Sequence, residues 1–412
     1  MPVYLDHAAT TPMLPVARSA YVDALGLVGN PSSIHSQGQQ AKRMLEESRE
    51  VVAASLGAEP IEVIFTSGGT ESINLGVKGL YWARQTGGLV PGAGSGSAAS
   101  RPVVLIPGGE HHATVDAVEW LARHEGARVV QLPVDSLGRL DPAVLAAALE
   151  LHGASVALVS LLWANNEVGT VQDVAALAAV GRAAGVPVHV DAVAAYGYLP
   201  LSFAAVGADA LSVSAHKIGG PVGIGALVVA RRSVVEPLIH GGNQQRVRSG
   251  TQDVAGAVAF AAAAALVPQP GGERTEFVAE LAQLRDRLIA GVRAAVPDAV
   301  LRGDPSPAGR LPGNAHFTFP GCEGDSLLFL LDMQGFSVST GSACQAGVPE
   351  VSHVLTAMGV PDDEARGALR FTLGHGTTAA EVDALVAALP AAYAAARKAG
   401  FADRVPVSAP RS

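Results

Sequence analysis

The sequence predicts an α/β protein, with a mainly parallel seven-stranded sheet covered by helices on both faces and a smaller α+β domain after it. Three observations carry this. Between Arg101 and Asp191, apolar stretches of strand length alternate with stretches of helical periodicity. The strand-like stretches are apolar throughout rather than at every second position, which requires cover on both faces. Finally, Pro268-Gln269-Pro270-Gly271-Gly272 interrupts the chain, and a different mixture of elements follows. The 412 residues suffice for two domains and a large core.

In order, residues 15–27 read as a helix, and 29–35, dense in turn formers, as a loop. Residues 37–56 form a long amphipathic helix, with Ala41, Met44, Leu45, Val51, Val52 and Leu56 near helical spacing. A strand at 61–65 leads through Thr66–Glu71 into a helix ending near Trp82. Residues 86–100 are rich in Gly, Ser and Ala and read as a surface excursion. Strands at 103–106, 128–132, 155–162 and 186–191 alternate with helices at 113–124, 142–151 and 171–184. Two strands flanking Lys217 close the first domain. Beyond the interruption, a long helix at 273–296 precedes strands at 316–319, 336–338 and 368–373. These interleave with helices at 325–333, 352–358 and 380–397. The division places 15–258 in the large domain and 1–14 plus 259–412 in the small one, with the boundary approximate, near 255–272. The tail 405–412 reads as frayed.

Composition excludes several classes. The net charge of −9 argues against a general nucleic-acid or membrane-surface binder. No basic, apolar leader opens the chain, and no apolar run is long and leucine-rich enough to span a bilayer; 255–267 is short and mostly alanine. Cys322 and Cys344 are too few for a disulfide framework or a four-thiolate metal site. A reducing cytoplasm is the expected location, with no metal, nucleic acid or membrane as partner.

The stretch 210–229, ALSVSAHKIGGPVGIGALVV, places Lys217 between two apolar runs. A lysine there either snorkels to solvent or keeps a depressed pKa and a nucleophilic amine. Such an amine can form a Schiff base with a carbonyl or with pyridoxal phosphate. Thr66-Ser67-Gly68-Gly69-Thr70 joins a strand to a helix. It is either an ordinary turn capped by Thr70 or an anion site built from N–H groups, the helix end and the Thr70 hydroxyl. It matches neither a Walker A loop nor the dinucleotide fingerprint, so a phosphate on a small cofactor fits better.

Asp191 ends an apolar strand, where open α/β sheets gather ligands. It can pair with a protonated pyridine nitrogen or cap a turn. Asn165 and Asn166 end another strand, as substrate-orienting groups or as an Asx turn. His111 opens a helix and either stacks on a flat cofactor or moves protons, or is a cap or surface residue, and His112 beside it leaves the choice open. Cys344 lies among small residues in Ser339–Gly347, an exposed loop suited to attack by a thiol. Cys322 reads as structural. Arg370 is an isolated charge in a strand, partnered by a substrate carboxylate or by an internal acid.

Along the chain, YLDHAATTP, GNPSSIH, IFTSGGTES, EHHATVDAV, ANNEVGT, HVDAV, SAHKIGGPVGIGAL, RSGT, STGSAC, SHVL and LRFTLG occur in that order. The ordered set resembles the pyridoxal-phosphate-dependent cysteine desulfurases of the NifS/IscS type, in the class-V aminotransferase family, over nearly the whole chain. The resemblance implies a fold-type I enzyme and a homodimer with sites near the subunit interface. It implies release of L-alanine from L-cysteine, with sulfur held as an enzyme persulfide for an acceptor protein in Fe–S cluster assembly or thio-modification. It makes Lys217 the Schiff-base lysine, Asp191 the pyridinium partner and His111 the ring-stacking, proton-moving histidine. Gly69, Thr70, Ser214 and His216 become phosphate-site residues, and Thr251 reaches the neighbouring subunit's phosphate. Asn166 and Arg370 bind the substrate carboxylate, Asn166 also contacts the cofactor, and Cys344 accepts the sulfur.

Four positions depart from the pattern. Ala194 replaces the usual glutamine that donates to the cofactor's phenolic oxygen, which predicts an altered titration of the lysine linkage and slower turnover. Asn243 and Gln245 replace a glycine and a glutamate, and His375 stands where an arginine is common. Rivals of the same fold are a selenocysteine lyase, an aminotransferase or another carbon–sulfur lyase. Cys344 favours sulfur transfer over these. A non-catalytic scaffold is a further rival, and the joint presence of Lys217, Asp191, His111 and Arg370 argues against it.

Overall fold

A computed structural model of the chain describes residues 2–85, 100–242, 244–267, 275–341 and 351–402. Strand β1 (Val3–Tyr4) precedes helices α1 (Pro15–Leu25) and α2 (Ser36–Ser55). Proline starts α1, where its missing N–H costs nothing. The large sheet and its covering helices follow as β2 (Val63–Thr66), α3 (Gly69–Gln85), β3 (Val103–Pro107), α4 (His112–Glu125), β4 (Arg128–Leu132), α5 (Pro142–His152) and β5 (Val156–Leu162). Then come α6 (Val174–Ala183), β6 (Val188–Asp191), α7 (Phe203–Val206), β7 (Ala210–Ser214) and β8 (Gly225–Val229). Helix α6 starts later than the periodicity suggests, because Asp173 caps it and Val171 instead bridges to Ala164.

The seven strands lie in the order β2-β8-β7-β6-β5-β3-β4. Only β8 runs against the rest. Residues 215–224, which join it to β7, are too few for a parallel crossover with its helix. Strands β2, β3, β5, β6, β7 and β8 are buried throughout, which is why their sequences are apolar runs. Edge strand β2 is closed by a side chain: Phe65 N donates to Gln245 Oε1 at 3.1 Å, and Gln245 Nε2 donates to Phe65 O at 2.6 Å. Gln245, one of the departures, therefore has a structural task; Asn243 lies outside the described residues.

Inside this core His189 is fully buried, its ring nitrogens 2.9 Å from Ser160 Oγ and 2.8 Å from Ser212 Oγ. Burial lowers its pKa to about 3, so the ring is neutral at pH 7. A Cβ on Gly76 of α3 would stand 2.7 Å from that ring. Gly76→Ala is expected to destabilise the fold by about 1–3 kcal/mol. The expected readout is a lower urea midpoint with an unchanged slope.

Helix α8 (Val254–Ala264) returns to the large domain. Its Phe260, Ala261, Ala263 and Ala264, with Val267, share one core with Leu45 and Val52 of α2. The alanine-rich helix packs its small side chains against α1 and α2, so of the range 255–272 only its later part leaves this packing whole. Then follow α9 (Thr275–Ala295), β9 (Val300–Arg302), β10 (Asn314–Thr318), α10 (Gly324–Asp332), β11 (Phe336–Ser337), α11 (His353–Ala357), α12 (Asp362–Ala365), β12 (Ala368–Thr372) and α13 (Ala379–Ala402). Strands β12-β10-β9 form an antiparallel sheet, and β1 pairs parallel with β11, which ties the N-terminus to this second core. Phe317, Phe319, Phe371, Leu327 and Leu331 fill it.

One exclusion drawn from composition needs correction. Within α13, the 21 residues Ala379–Ala399 are long and apolar enough by length and composition to cross a bilayer. The apolarity comes from alanine rather than leucine. Val382, Leu385, Leu389, Ala392 and Ala396, at helical spacing, are buried in one core with Leu288 and Val292 of α9.

Candidate active site

The carboxyl ends of five strands converge. β2 leads into Gly69 and Thr70, β3 into His111, and β5 into Asn165 and Asn166; β6 ends on Asp191 and β7 on Ser214. Open α/β sheets place ligands at such ends. Together with Ala8, Ala9, Ala194, His216, Lys217, Ser339, Gly341 and Arg370, these ends, Asn165 apart, line a cavity of about 390 Å³.

Lys217 sits in a single 3-10 turn, Ala215–Ile218, closed by Gly219 at φ 82°. Its Nζ donates to the carbonyls of Ala8 and, at 3.0 Å, Ala9. Burial lowers its pKa to about 8; the Arg370 cation adds to this, while Asp191 and Asp6 oppose it. The amine is turned into the cavity, not out to solvent. Asp191 is buried, and Val193 N donates to its Oδ1 at 2.9 Å. Burial raises its pKa to about 6 against the pull of that bond and of Lys217.

His111 is the N-cap of α4. Ala113 N donates to its Nδ1 at 3.1 Å, which leaves the ring proton on Nε2. The ring is open to the cavity yet lies deep among protein atoms. Desolvation, then the Lys217 cation, lowers its pKa to about 4. His112 instead packs on His353, ring centroids 4.7 Å apart, and of the two neighbours it is His111 that lines the cavity. His216 Nδ1 lies 3.1 Å from Thr10 Oγ1, and burial, then Lys217, lowers its pKa to about 4.

At the start of α3 the backbone comes close to β7. A Cβ on Gly69 would stand 2.9 Å from Val193 Cγ2 and 3.4 Å from Ser214 Cβ. Ser214 Oγ is buried beside this helix end with no hydrogen-bond partner among the described residues. Thr70 is not the helix cap, since α3 already begins at Gly69; it faces the cavity.

The two asparagines divide. Asn165 Oδ1 accepts from the N–H groups of Glu167 and Val168, both at 2.9 Å, and so builds the turn; Asn166 lines the cavity. Arg370 is buried, and the internal acid exists: Nη2 lies 2.9 Å from Asp6 Oδ1, while Nη1 donates to Asn166 O at 2.9 Å. Its Nε is buried without a hydrogen-bond partner among the described residues. Asp6, Ala8 and Ala9 received no role from the sequence, although their motif, YLDHAATTP, was among those that stood out.

Thr251 is exposed and does not line this cavity. Cys344 lies outside the described residues, but Ser339 and Gly341 of the same motif line the cavity. Cys322 is buried, its Sγ donating to Tyr393 O at 3.8 Å, and burial pushes its thiol up to about 11. That is the structural cysteine the sequence suggests. His375 stacks on Phe277 at 4.1 Å.

Comparison with known proteins agrees with this geometry. The model of the family described as aminotransferase class-V matches residues 3–385. An IscS-like cysteine desulfurase of Mycobacterium tuberculosis is 51% identical over 400 residues, which span 97% of this chain and 98% of that one. The solved structure of a NifS-like protein superposes with a TM-score of 0.82 at 32% identity, covering 95% of this chain and 99% of that one. A structure described as SspA in complex with cysteine gives a TM-score of 0.73 at 29% identity, covering 90% and 98%. A family match over residues 3–385 and a relative 51% identical across 97% of this chain place the fold and the motifs in one lineage. The chain belongs to the class-V aminotransferase family, among its NifS/IscS-type cysteine desulfurases.

Proposed function

We propose that this chain takes the sulfur from L-cysteine, releases L-alanine and holds the sulfur as a persulfide on Cys344. The observation that carries this reading is one cavity holding a lysine of depressed pKa, a buried carboxylate, an unsatisfied hydroxyl at a helix N-terminus and a buried arginine.

The donor set fits pyridoxal phosphate. Ser214 Oγ lacks a partner among the described residues, and with Thr70, His216 and the N–H groups opening α3 it would hold the phosphate. Asp191 would keep the pyridine nitrogen protonated, and His111 would lie against the ring. Bound there, the cofactor supplies an electron sink that makes the substrate's α-proton removable. Lys217 Nζ, near pKa 8, is basic enough to take that proton at neutral pH and acidic enough to return it. Arg370 and Asn166 would orient the substrate carboxylate. The Cys344 thiolate attacks the substrate sulfur. A sulfur–sulfur bond forms, the carbon–sulfur bond breaks, and its electron pair takes up a proton to become the methyl group of alanine. Ala194 puts a methyl group where a donor is usual, and Asn166 is an amide lining the same cavity.

The reading extends to a homodimer, in which exposed Thr251 contacts the neighbouring subunit's phosphate. A sulfur-acceptor protein of Fe–S assembly or thio-modification and a cytoplasmic location complete it; thiol chemistry with two cysteines and no disulfide framework supports that location.

Asp191 gives a pH-dependent test. Its folded pKa, about 6, exceeds the unfolded value of 3.8, so the folded state binds more protons between those values. Stability of the cofactor-free protein therefore falls as pH rises through that window, and the ionised group costs about 2–3 kcal/mol above it. Asp191→Asn is expected to raise the melting temperature of the cofactor-free protein at pH 7 while lowering turnover of the loaded enzyme at least about 100-fold. Loss of stability in the variant would contradict the assignment.

The decisive experiment incubates the loaded protein with L-cysteine and measures alanine and protein-bound persulfide together. Wild type is expected to make both and Cys344→Ser neither. Normal sulfur release by the variant would remove Cys344 from the reaction.

A further inference from the structure

At the other end of the strands, the amino-terminal edge of the large sheet, lies a second pocket of about 390 Å³, as large as the catalytic cavity. Four arginines line it, Arg84, Arg101, Arg182 and Arg232, with one carboxylate, Asp209. The backbone holds them together. Gln85 Nε2 donates to Arg101 O at 2.7 Å, and Arg101 N donates to Gln85 Oε1 at 3.1 Å. This clamps the end of α3 to the chain entering β3 and sets Arg84 beside Arg101. Arg182 Nη1 donates to Gly207 O at 3.2 Å, and Arg232 Nη2 donates to the carbonyls of Gly207 and Ala208 at 2.9 and 3.0 Å. Gly207 has φ 68°, and a Cβ there would overlap the Arg182 guanidinium, so this convergence requires glycine.

One carboxylate does not neutralise four cations, and Asp209 is already engaged. Its Oδ2 accepts from Val188 N at 3.0 Å, and its Oδ1 from Ser233 Oγ at 2.6 Å. Its ion pair is with Arg232, at 3.5 Å. Arg84 Nε is buried without a hydrogen-bond partner among the described residues. Burial and the Arg101 cation both depress the Arg84 pKa, and Asp209 opposes them. Helix ends explain part of the cluster, since Arg84 and Arg182 occupy the last turns of α3 and α6, where a cation is favourable. They explain neither Arg101 and Arg232 nor the unsatisfied N–H. In a chain of net charge −9, a concave surface of such concentrated positive charge stands apart from the whole.

We propose that this pocket binds a compact, multiply charged oxyanion of the phosphate class. Planar guanidinium forks match its tetrahedral oxygens two at a time, and Arg84, Arg101 and Arg232 would close on it from three chain segments. The site shares no residue with the catalytic cavity, so it stands or falls separately from the sulfur chemistry.

Calorimetric titration of the holoenzyme with pyrophosphate tests this. Wild type is expected to bind with a dissociation constant below about 1 mM at low ionic strength. Arg84→Gln combined with Arg101→Gln is expected to weaken binding at least tenfold, with alanine formation from L-cysteine within twofold of wild type. Arg232→Gln, at an exposed position, provides the same comparison if the double variant fails to fold. ADP run in parallel separates the sources: tighter binding of ADP identifies a nucleotide, and equal or tighter binding of pyrophosphate identifies a free oxyanion. Either result supports the site. No measurable pyrophosphate binding by wild type, or binding unchanged in the arginine variants, overturns it.

Discussion

Lys217→Arg is expected to lower alanine formation from L-cysteine by about 10³-fold or more while leaving the melting temperature within a few degrees. The substitution keeps a cation in the turn Ala215–Ile218 and a donor for the carbonyls of Ala8 and Ala9. It removes an amine. Burial brings the Lys217 pKa down to about 8, within the range useful for proton transfer at neutral pH. A guanidinium stays protonated in the same place, so it can neither bond covalently to a carbonyl nor carry the α-proton. The second readout is covalent retention of the cofactor after borohydride reduction and then denaturation, followed as loss of the yellow colour with the reduced cofactor staying on the protein; it is expected in wild type and absent in the variant. More than a tenth of wild-type activity in Lys217→Arg would show that the positive charge, rather than the amine, is what the site needs.

Arg370→Lys is expected to cut kcat/KM for L-cysteine by about 10²–10³-fold, about 3–4 kcal/mol, chiefly through KM. Lysine retains the charge but not the planar fork. In the wild type, Nη1 and Nη2 are committed to Asn166 O and Asp6, which fixes the guanidinium plane and leaves the buried Nε without a partner among the described residues. A substrate carboxylate would complete the set. Asp6→Asn separates the two tasks, because it weakens the internal pair and leaves the guanidinium in place. It is expected to raise KM by less than tenfold. Equal losses in Asp6→Asn and Arg370→Lys would mean that the arginine serves the fold and not the substrate.

Much of the site was readable from the chain because its signals are local. Asp191, Ser214 and His111 each stand at or just beyond the end of an apolar strand, and Gly69 and Thr70 open a helix directly after one. A strand's carboxyl end in a parallel sheet is a place on the ligand side by construction. The separation of His111 from His112 was not readable. It depends on which ring caps α4 and which meets His353, more than two hundred residues away in the chain.

The sequence by itself determined the alternation of elements, the burial of the sheet on both faces and the family, since these rest on periodicity and on motifs read within short windows. Tertiary structure decided the rest. It brought Asp6 to Arg370 across 364 residues and the carbonyl of Ala8 to Lys217 across 209. It placed α8 with α1 and α2, turned the apolar face of α13 into the small core and assembled four scattered arginines around one carboxylate. Strands as short as β1 and β9 carry no period of their own and exist because β11 and β10 present open edges to them. Hydrophobic periodicity reports a residue's surroundings within its own element. Which charge meets which depends on how elements separated by long loops pack, and no local pattern encodes that.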